Sequence, residues 1–381
     1  MLHILSETFG PSLFKRLNRP QRQIQKMVSS KDVELTWTRL DTSFQPSKGG
    51  KSPLARSSHG VSLVTSDKLF VYGGEHVART PLEETKENGK QCYGWFGDLS
   101  AKTWKDLEGE APPPRIAHAQ TVHHATQTVY IFGGRQGIKM EEKALNDLWV
   151  WDGQTESWTE IVASGDIPEA RSFHAMICVG DCLYMFGGCG QTSGRMNDLY
   201  EFNIKTKTWK RLGASSLLKG RGGPNLIALE GGKKLAVVAG FSGQETKDGH
   251  VFDLASQTWD SELMKGLDSL RPRSVCISAS FPSVGVAVVF GGEVDPSERG
   301  HEGAGGFTND LVLLGGTSGA LIETIPAGEG WPGPRGWADG GFFDDDSNQT
   351  GYLYVFGGLA GDDKAPLRLS DLWQLKISRK G

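Results

Sequence analysis

Between Phe290 and Asp310 the sequence reads FGGEVDPSERGHEGAGGFTND, in which Glu293, Asp295, Glu298 and Glu302 flank a single histidine, His301. Carboxylate oxygens beside an imidazole form a donor mixture that suits a divalent ion such as Fe(II), Mn(II) or Zn(II). The same glycine-rich, acidic composition also describes a solvated loop that merely closes one unit of a repeat, and spacing by itself leaves both readings open. A second set of candidates follows from a recurring glycine pair. The residues directly after it, or after its counterpart, are Glu75, Arg135, Cys189, Phe241, Glu293 and Leu359. Gathered around one axis, two carboxylates and a guanidinium would accept an anion, a metal or a polar small molecule. The alternative is that these charges pair with one another or with water.

The elements that would gather them repeat along the chain. Apolar runs end in glycine at LFVYGG, VYIFGG, LYMFGG, AVVAGF, AVVFGG and LYVFGG. Each is preceded by an arginine: Arg56, Arg115, Arg171, Arg221, Arg273 and Arg335. A further strand follows, as in NDLWVWD and NDLYEFN, and then a tryptophan six residues on: Trp104, Trp158, Trp209 and Trp259, with Leu321 in that place in the fifth unit. Units of about fifty residues, with four short strands, a diglycine and a late tryptophan, resemble kelch repeats, which build β-propellers. The arginines and tryptophans are expected to be structural. Fifty-one glycines and 17 prolines agree with an all-β chain, since both interrupt helices and suit turns.

The expected fold is all-β, a six-bladed propeller over residues 33–377, with a basic extension over 1–32 and a short tail over 378–381. The last unit ends at LSDLWQLKI without a fourth strand, whereas VELTWTRL, containing Trp37, is a fourth strand without the other three. Pairing of the two ends would close the ring and remove an exposed edge. The longest loops after a diglycine belong to the first and fifth units, with 18 residues between Gly74 and Tyr93 and 17 between Gly292 and Asp310. Loops on that face surround the axial pocket of a propeller.

A net charge of −4 offers no global positive field for nucleic acid or an anionic membrane surface. Five cysteines without paired spacing suggest neither a disulfide framework nor a thiolate zinc site, which fits a reducing, cytoplasmic setting. Lys15, Arg16, Arg19, Arg22 and Lys26 against the single acid Glu7 form the alternative signal, a mitochondrial presequence. No apolar run reaches the roughly 20 residues that span a bilayer.

Six stretches in order, ARSSHG at 55–60, YIFGGR at 130–135, GRGGP at 220–224, PRSV at 272–275, GGEVDPSERGHEGAG at 291–305 and GPRGW at 333–337, resemble the plant specifier proteins and their wider kelch relatives. Nitrile-specifier, epithiospecifier and thiocyanate-forming proteins belong to that group. The resemblance implies an Fe(II)-dependent, lyase-like activity on a small metabolite of specialised metabolism. In the family, aglycones released from glucosinolates by myrosinase are diverted to nitriles, epithionitriles or thiocyanates. It also implies a metal motif Glu-x3-Asp-x3-His, onto which Glu293 and His301 fall, while Ser297 stands at the middle position. A neutral hydroxyl is a poor substitute for a carboxylate, so Asp295, Glu298 or Glu302 would have to replace it. Arg135 matches the family's active-site arginine, an anion clamp, and Trp337 matches a pocket-lining aromatic. The competing expectation is a kelch module without chemistry that binds a protein partner on the loop face. A copper radical oxidase is disfavoured, because the chain shows no Tyr/Cys/His copper set.

Overall fold

The structure, a computed structural model, describes residues 29–47, 51–85, 91–92, 94–107, 111–137 and 143–380. The basic segment with Lys15 through Lys26 lies outside them, as does part of the loop after Gly74. Six antiparallel four-strand sheets follow one another along the chain. The second blade is typical: Ala119–His123, Thr128–Arg135, Ala144–Asp152 and Ser157–Glu160, in that order outward from the axis. The third blade carries one extra strand, Ser164–Gly165, added in parallel to its outer edge. The innermost strands of neighbouring blades touch all the way round. No helix among the described residues is long and apolar enough to cross a membrane.

Closure is as the sequence requires. Val33–Arg39 pairs with Ala365–Arg379, with Val33 opposite Arg379 and Trp37 opposite Leu375. The first strand therefore completes the last blade, and the closing strand runs two residues beyond Ile377. Second strands are apolar on both faces because both are covered by neighbouring blades; Leu69, Phe70, Val71 and Val129, Ile131, Phe132 are fully buried.

Each tryptophan packs on the aromatic residue that precedes the diglycine of the blade before it. Ring centroids lie 5.7 Å apart for Trp104–Phe356, 5.2 Å for Trp158–Tyr72, 5.3 Å for Trp209–Phe132, 5.8 Å for Trp259–Phe186 and 4.7 Å for Trp37–Phe290. Its position is set by the tight turn before it. Asp152 Oδ1, for example, accepts from the backbone N–H groups of Gln154 and Thr155 at 2.7 and 3.1 Å.

The six arginines are buried staples. Arg171 donates from Nη1 to the Gly187 carbonyl at 2.9 Å and forms a two-pronged ion pair with Asp198 at 2.8 and 3.2 Å. The same pattern joins Arg115 to Asp147, Arg221 to Asp248, Arg273 to Asp310 and Arg335 to Asp371. Meanwhile the arginine's own carbonyl accepts from the glycine of the previous blade, as in Gly188 N–H to Arg221 at 2.9 Å and, across the seam of the ring, Gly358 N–H to Arg56 at 2.8 Å. One residue thus ties a blade to itself and to its neighbour.

Two residues after each arginine the backbone turns left-handed: φ is 55° at Ser58, 53° at Ala117, 57° at Phe173, 57° at Gly223, 49° at Val275 and 55° at Trp337. Only one of the six is glycine, although the conformation costs other residues energy. The compensation is a closed circle of backbone hydrogen bonds. Ala117 donates to Ser58 at 2.9 Å, Phe173 to Ala117 at 2.9 Å, Gly223 to Phe173 at 2.7 Å, Val275 to Gly223 at 3.0 Å, Trp337 to Val275 at 3.0 Å and Ser58 to Trp337 at 2.7 Å.

Removing one staple should leave a buried carboxylate without its partner. Arg171→Ala is expected to destabilise the protein by about 3–5 kcal/mol, read as a lower midpoint in denaturant unfolding, whereas Arg171→Lys should recover only part of the loss because it cannot grip Asp198 with two parallel bonds. A midpoint within error of the parent would contradict the staple role.

Candidate functional site at the axial mouth

The residue following each glycine pair is held beside the hydrogen-bonded circle. Glu75 bridges to Ser57, Arg135 to Ile116, Cys189 to Ser172, Phe241 to Gly222, Glu293 to Ser274 and Leu359 to Gly336, each of these partners preceding a left-handed residue. The six side chains that the repeat singled out therefore stand at one level around the axis.

Arg135 is half-buried, and its Nε donates to Ser172 Oγ at 3.2 Å. Beside it burial pushes the Cys189 thiol up, while Arg195 and Arg135 pull it back down. Arg195 is exposed and lies over the Phe241 ring, 4.6 Å from its centroid. On the opposite arc Arg368 reaches Glu75 at 3.3 Å, the two side chains being only 7% and 8% exposed. Glu75 also accepts from Ser57 Oγ at 3.2 Å; burial raises its pKa from the ordinary glutamate value in spite of Arg368. The Nε of Arg368 is buried with no partner among the described residues. Nothing in the repeat pattern marks Arg368, which comes from the hairpin of blade six.

Glu293 is 7% exposed. It accepts hydrogen bonds from the Trp337 indole and from the backbone of Ser297 and Gly305, and its pKa is raised to about 7, first by burial and then by the neighbouring Glu245. Glu245, on the adjoining blade, is likewise buried and raised by burial. Trp337 packs edge-on against Phe173, with centroids 5.4 Å apart, so two members of the hydrogen-bonded circle floor the mouth with aromatic rings. Close folding of the acidic loop over Glu293 requires a residue without Cβ at 305. A Cβ there would lie 2.5 Å from Glu293 Oε1 and 2.0 Å from the Asp295 carbonyl.

The other metal candidates whose side chains are described do not join Glu293. Asp295 is exposed and pairs with Arg271 at 2.7 Å. Glu298 and Glu302 are exposed too. Ser297 donates its hydroxyl to Asp363, which also accepts from Glu298 N–H at 3.0 Å. The backbone of His301 lies in the short turn Gly300–Glu302, and its side chain is outside the described residues. Among those that are described, no three His, Cys, Asp or Glu side chains are placed to hold a metal.

Below the circle the axis widens into a cavity of about 740 Å³, walled by the innermost strands. His59, His118 and His174 line its inner end. Burial is the first cause that holds all three below the usual imidazole range, His118 at about 3, and each is further lowered by the arginine that precedes it. They are neutral at physiological pH, and His59 Nε2–H donates to the Phe356 carbonyl at 3.0 Å. Asp339 faces the same space. It is half-buried against the cavity, and burial raises its pKa to about 7.

A six-bladed propeller with a polar axial mouth defines the class. The chain belongs to the kelch-repeat family: residues 82–292, more than half its length, match the KLHDC2/KLHL20/DRC7 Kelch-repeats domain. It is 27% identical over 313 residues to N-(sulfonatooxy)prop-2-enimidothioate sulfolyase of Thlaspi arvense, covering 76% of this chain and 85% of that protein. Kelch domain-containing protein 3 of Bos taurus is 26% identical over 70% of this chain and 69% of its own length. A leucine-zipper-like transcriptional regulator 1 homolog of Drosophila melanogaster is 28% identical over 65% of this chain, which spans only 25% of that longer protein. Among solved structures, that of YjhT superposes with a TM-score of 0.63 at 15% identity, covering 84% of this chain and 95% of that one, a likeness of fold.

Asp339 provides a test by pH. Its raised pKa means that the folded state holds a proton that the unfolded chain has released, so its contribution is present below the ordinary aspartate pKa of 3.8 and is lost as pH rises through about 7. The raised Asp344 acts in the same direction, and the three depressed histidines in the opposite one. Comparison with Asp339→Asn cancels these neighbours. The melting temperature of the variant minus that of the parent is expected to grow by several degrees between pH 5 and pH 8, and a difference that does not change with pH would contradict the assignment.

Proposed function

We propose that the protein binds a small anionic metabolite at the axial mouth and acts on it as a lyase. The observation that carries this reading is the pair of guanidinium groups at one level of the mouth: Arg135 against Ser172, and the buried Arg368 with its unpartnered Nε. A sulfate or sulfonate held between them would sit over Trp337 and Phe173, out of bulk water, where fixed positive charge is most effective. Charge that gathers on a departing sulfate would be stabilised by the same two groups. The Thlaspi arvense relative supports this choice of anion, since its name describes a sulfonatooxy compound and a sulfolyase. Fe(II) belongs to this reading only through Glu293 and His301, and no step is assigned to it.

The first measurement is calorimetric binding of a short alkyl sulfate. Arg135→Ala and Arg368→Ala are each expected to weaken it by about 10- to 100-fold, with unchanged circular dichroism; equal affinity in both variants would remove the anion site. Anaerobic Fe(II) titration of the parent, Glu293→Ala and His301→Ala accompanies it. Stoichiometric binding lost in both variants would add the metal to the mouth, and a titration indistinguishable from buffer would leave the anion site without one.

A protein partner on the same face is the second reading, favoured by the exposed apolar side chains Leu54, Val77 and Leu367, which the first and sixth blades present there. Such a module would bind its partner equally well when Arg135 and Arg368 are replaced singly by alanine and alkyl sulfate no longer binds.

A further inference from the structure

The axial cavity lies on the other side of the hydrogen-bonded circle from Arg135, Glu293 and Arg368, none of which lines it. Its outer rim is formed by the hairpin turns between first and second strands, including Ser66, Gln127, Gly232 and Pro282. It is therefore a separate space reached from the opposite face. At about 740 Å³ it has the size of a small-molecule site.

Its chemistry is one-sided. Among the lining residues there is no lysine or arginine; three of the four histidines, His59, His118 and His174, are buried and neutral, and the fourth, His124, stands exposed at the rim with its pKa also lowered. The acids are Asp339 and Asp344. Asp344 is occupied by Ser283, whose backbone N–H and hydroxyl both donate to it, at 2.9 and 2.5 Å. Asp339 accepts from the Val61 N–H at 2.7 Å and from the Gly340 backbone, and no cationic side chain among the described residues pairs with it. Elsewhere the lining offers neutral hydrogen-bonding groups, Gln120 with Ser62 and the amide of Asn225, while Met176, Val122 and Phe342 supply apolar wall. A carboxyl placed deep in a pocket without any positive partner is costly to ionise, and a ligand cation would relieve that cost. An anion would meet two carboxyl groups and no lysine or arginine.

We propose that the axial cavity is a second ligand site, selective for a small organic cation, in which Asp339 receives an alkylammonium group and the apolar wall covers the rest of the molecule. The site is independent of the mouth, because the circle of backbone hydrogen bonds separates the two. It needs no covalent step.

The probe is 2-phenylethylamine, compared with its neutral analogue 2-phenylethanol and the anion 3-phenylpropanoate, by calorimetry or ligand-observed NMR on the full chain. The amine is expected to bind at least about tenfold more tightly than either analogue. Asp339→Asn, which keeps the Val61 hydrogen bond through its amide oxygen, should abolish that preference, while Glu293→Gln, at the mouth, should leave it intact. Equal affinity for amine and alcohol, an unaltered preference in Asp339→Asn, or no binding of the amine would each overturn the proposal. If Asp339→Asn fails to fold, the comparison of the three probes on the parent protein still decides it.

Discussion

The circle of six backbone hydrogen bonds around the axis is the constraint on which the rest depends. It demands a left-handed turn from every blade at the same height, including from Val275, whose branched side chain is poorly suited to it. Such a conformation persists only where the surroundings over-determine it. The arginine staples do so, since each sits two residues before the turn and fixes its carbonyl to the preceding blade and its guanidinium to its own. Strain at the centre is thus held by ion pairs a few ångströms further out.

That geometry separates the molecule into two chambers with opposite electrostatics. Above the circle, loops of blades one, two, five and six bring arginines and carboxylates together. Below it, the innermost strands present hydroxyls, amides, neutral imidazoles and two aspartates, with no lysine or arginine. Both chambers are floored by the same six residues, so Trp337 and Phe173 belong to the lining of each. The burial that makes the blades stable also determines the chemistry, because the carboxyls turned toward the axis lose water and have their pKa values raised: Glu75, Glu245, Glu293, Asp339 and Asp344.

The acidic loop of blade five shows how a motif and its geometry differ. Five potential donors lie within ten residues of sequence, yet only Glu293 among those described turns inward. Asp295 is drawn outward by Arg271, and Ser297 is committed to Asp363, which arrives from the hairpin of blade six, 66 residues further along. Glycines at 303 and 305 let the loop fold this way, since a side chain at either would meet Asp363 or Glu293. Local spacing could nominate these residues; it could not say which of them a distant hairpin would engage.

By itself the sequence determined the repeat, the number of blades, the strand that closes the ring, and the six positions beside the axis, because each is written in a pattern that recurs every fifty residues or so and depends on local sterics and burial. Recurrence also marked the arginines and tryptophans, although not the Arg–Asp pairing that makes the arginines staples. What only the tertiary structure decided is whatever a single blade cannot show: the hydrogen-bonded circle, the meeting of Arg368 with Glu75 across 293 residues, and the reach of the Val61 N–H to Asp339 across 278. These contacts join opposite ends of the chain, and they exist only once all six blades have turned through the full ring and brought the last beside the first.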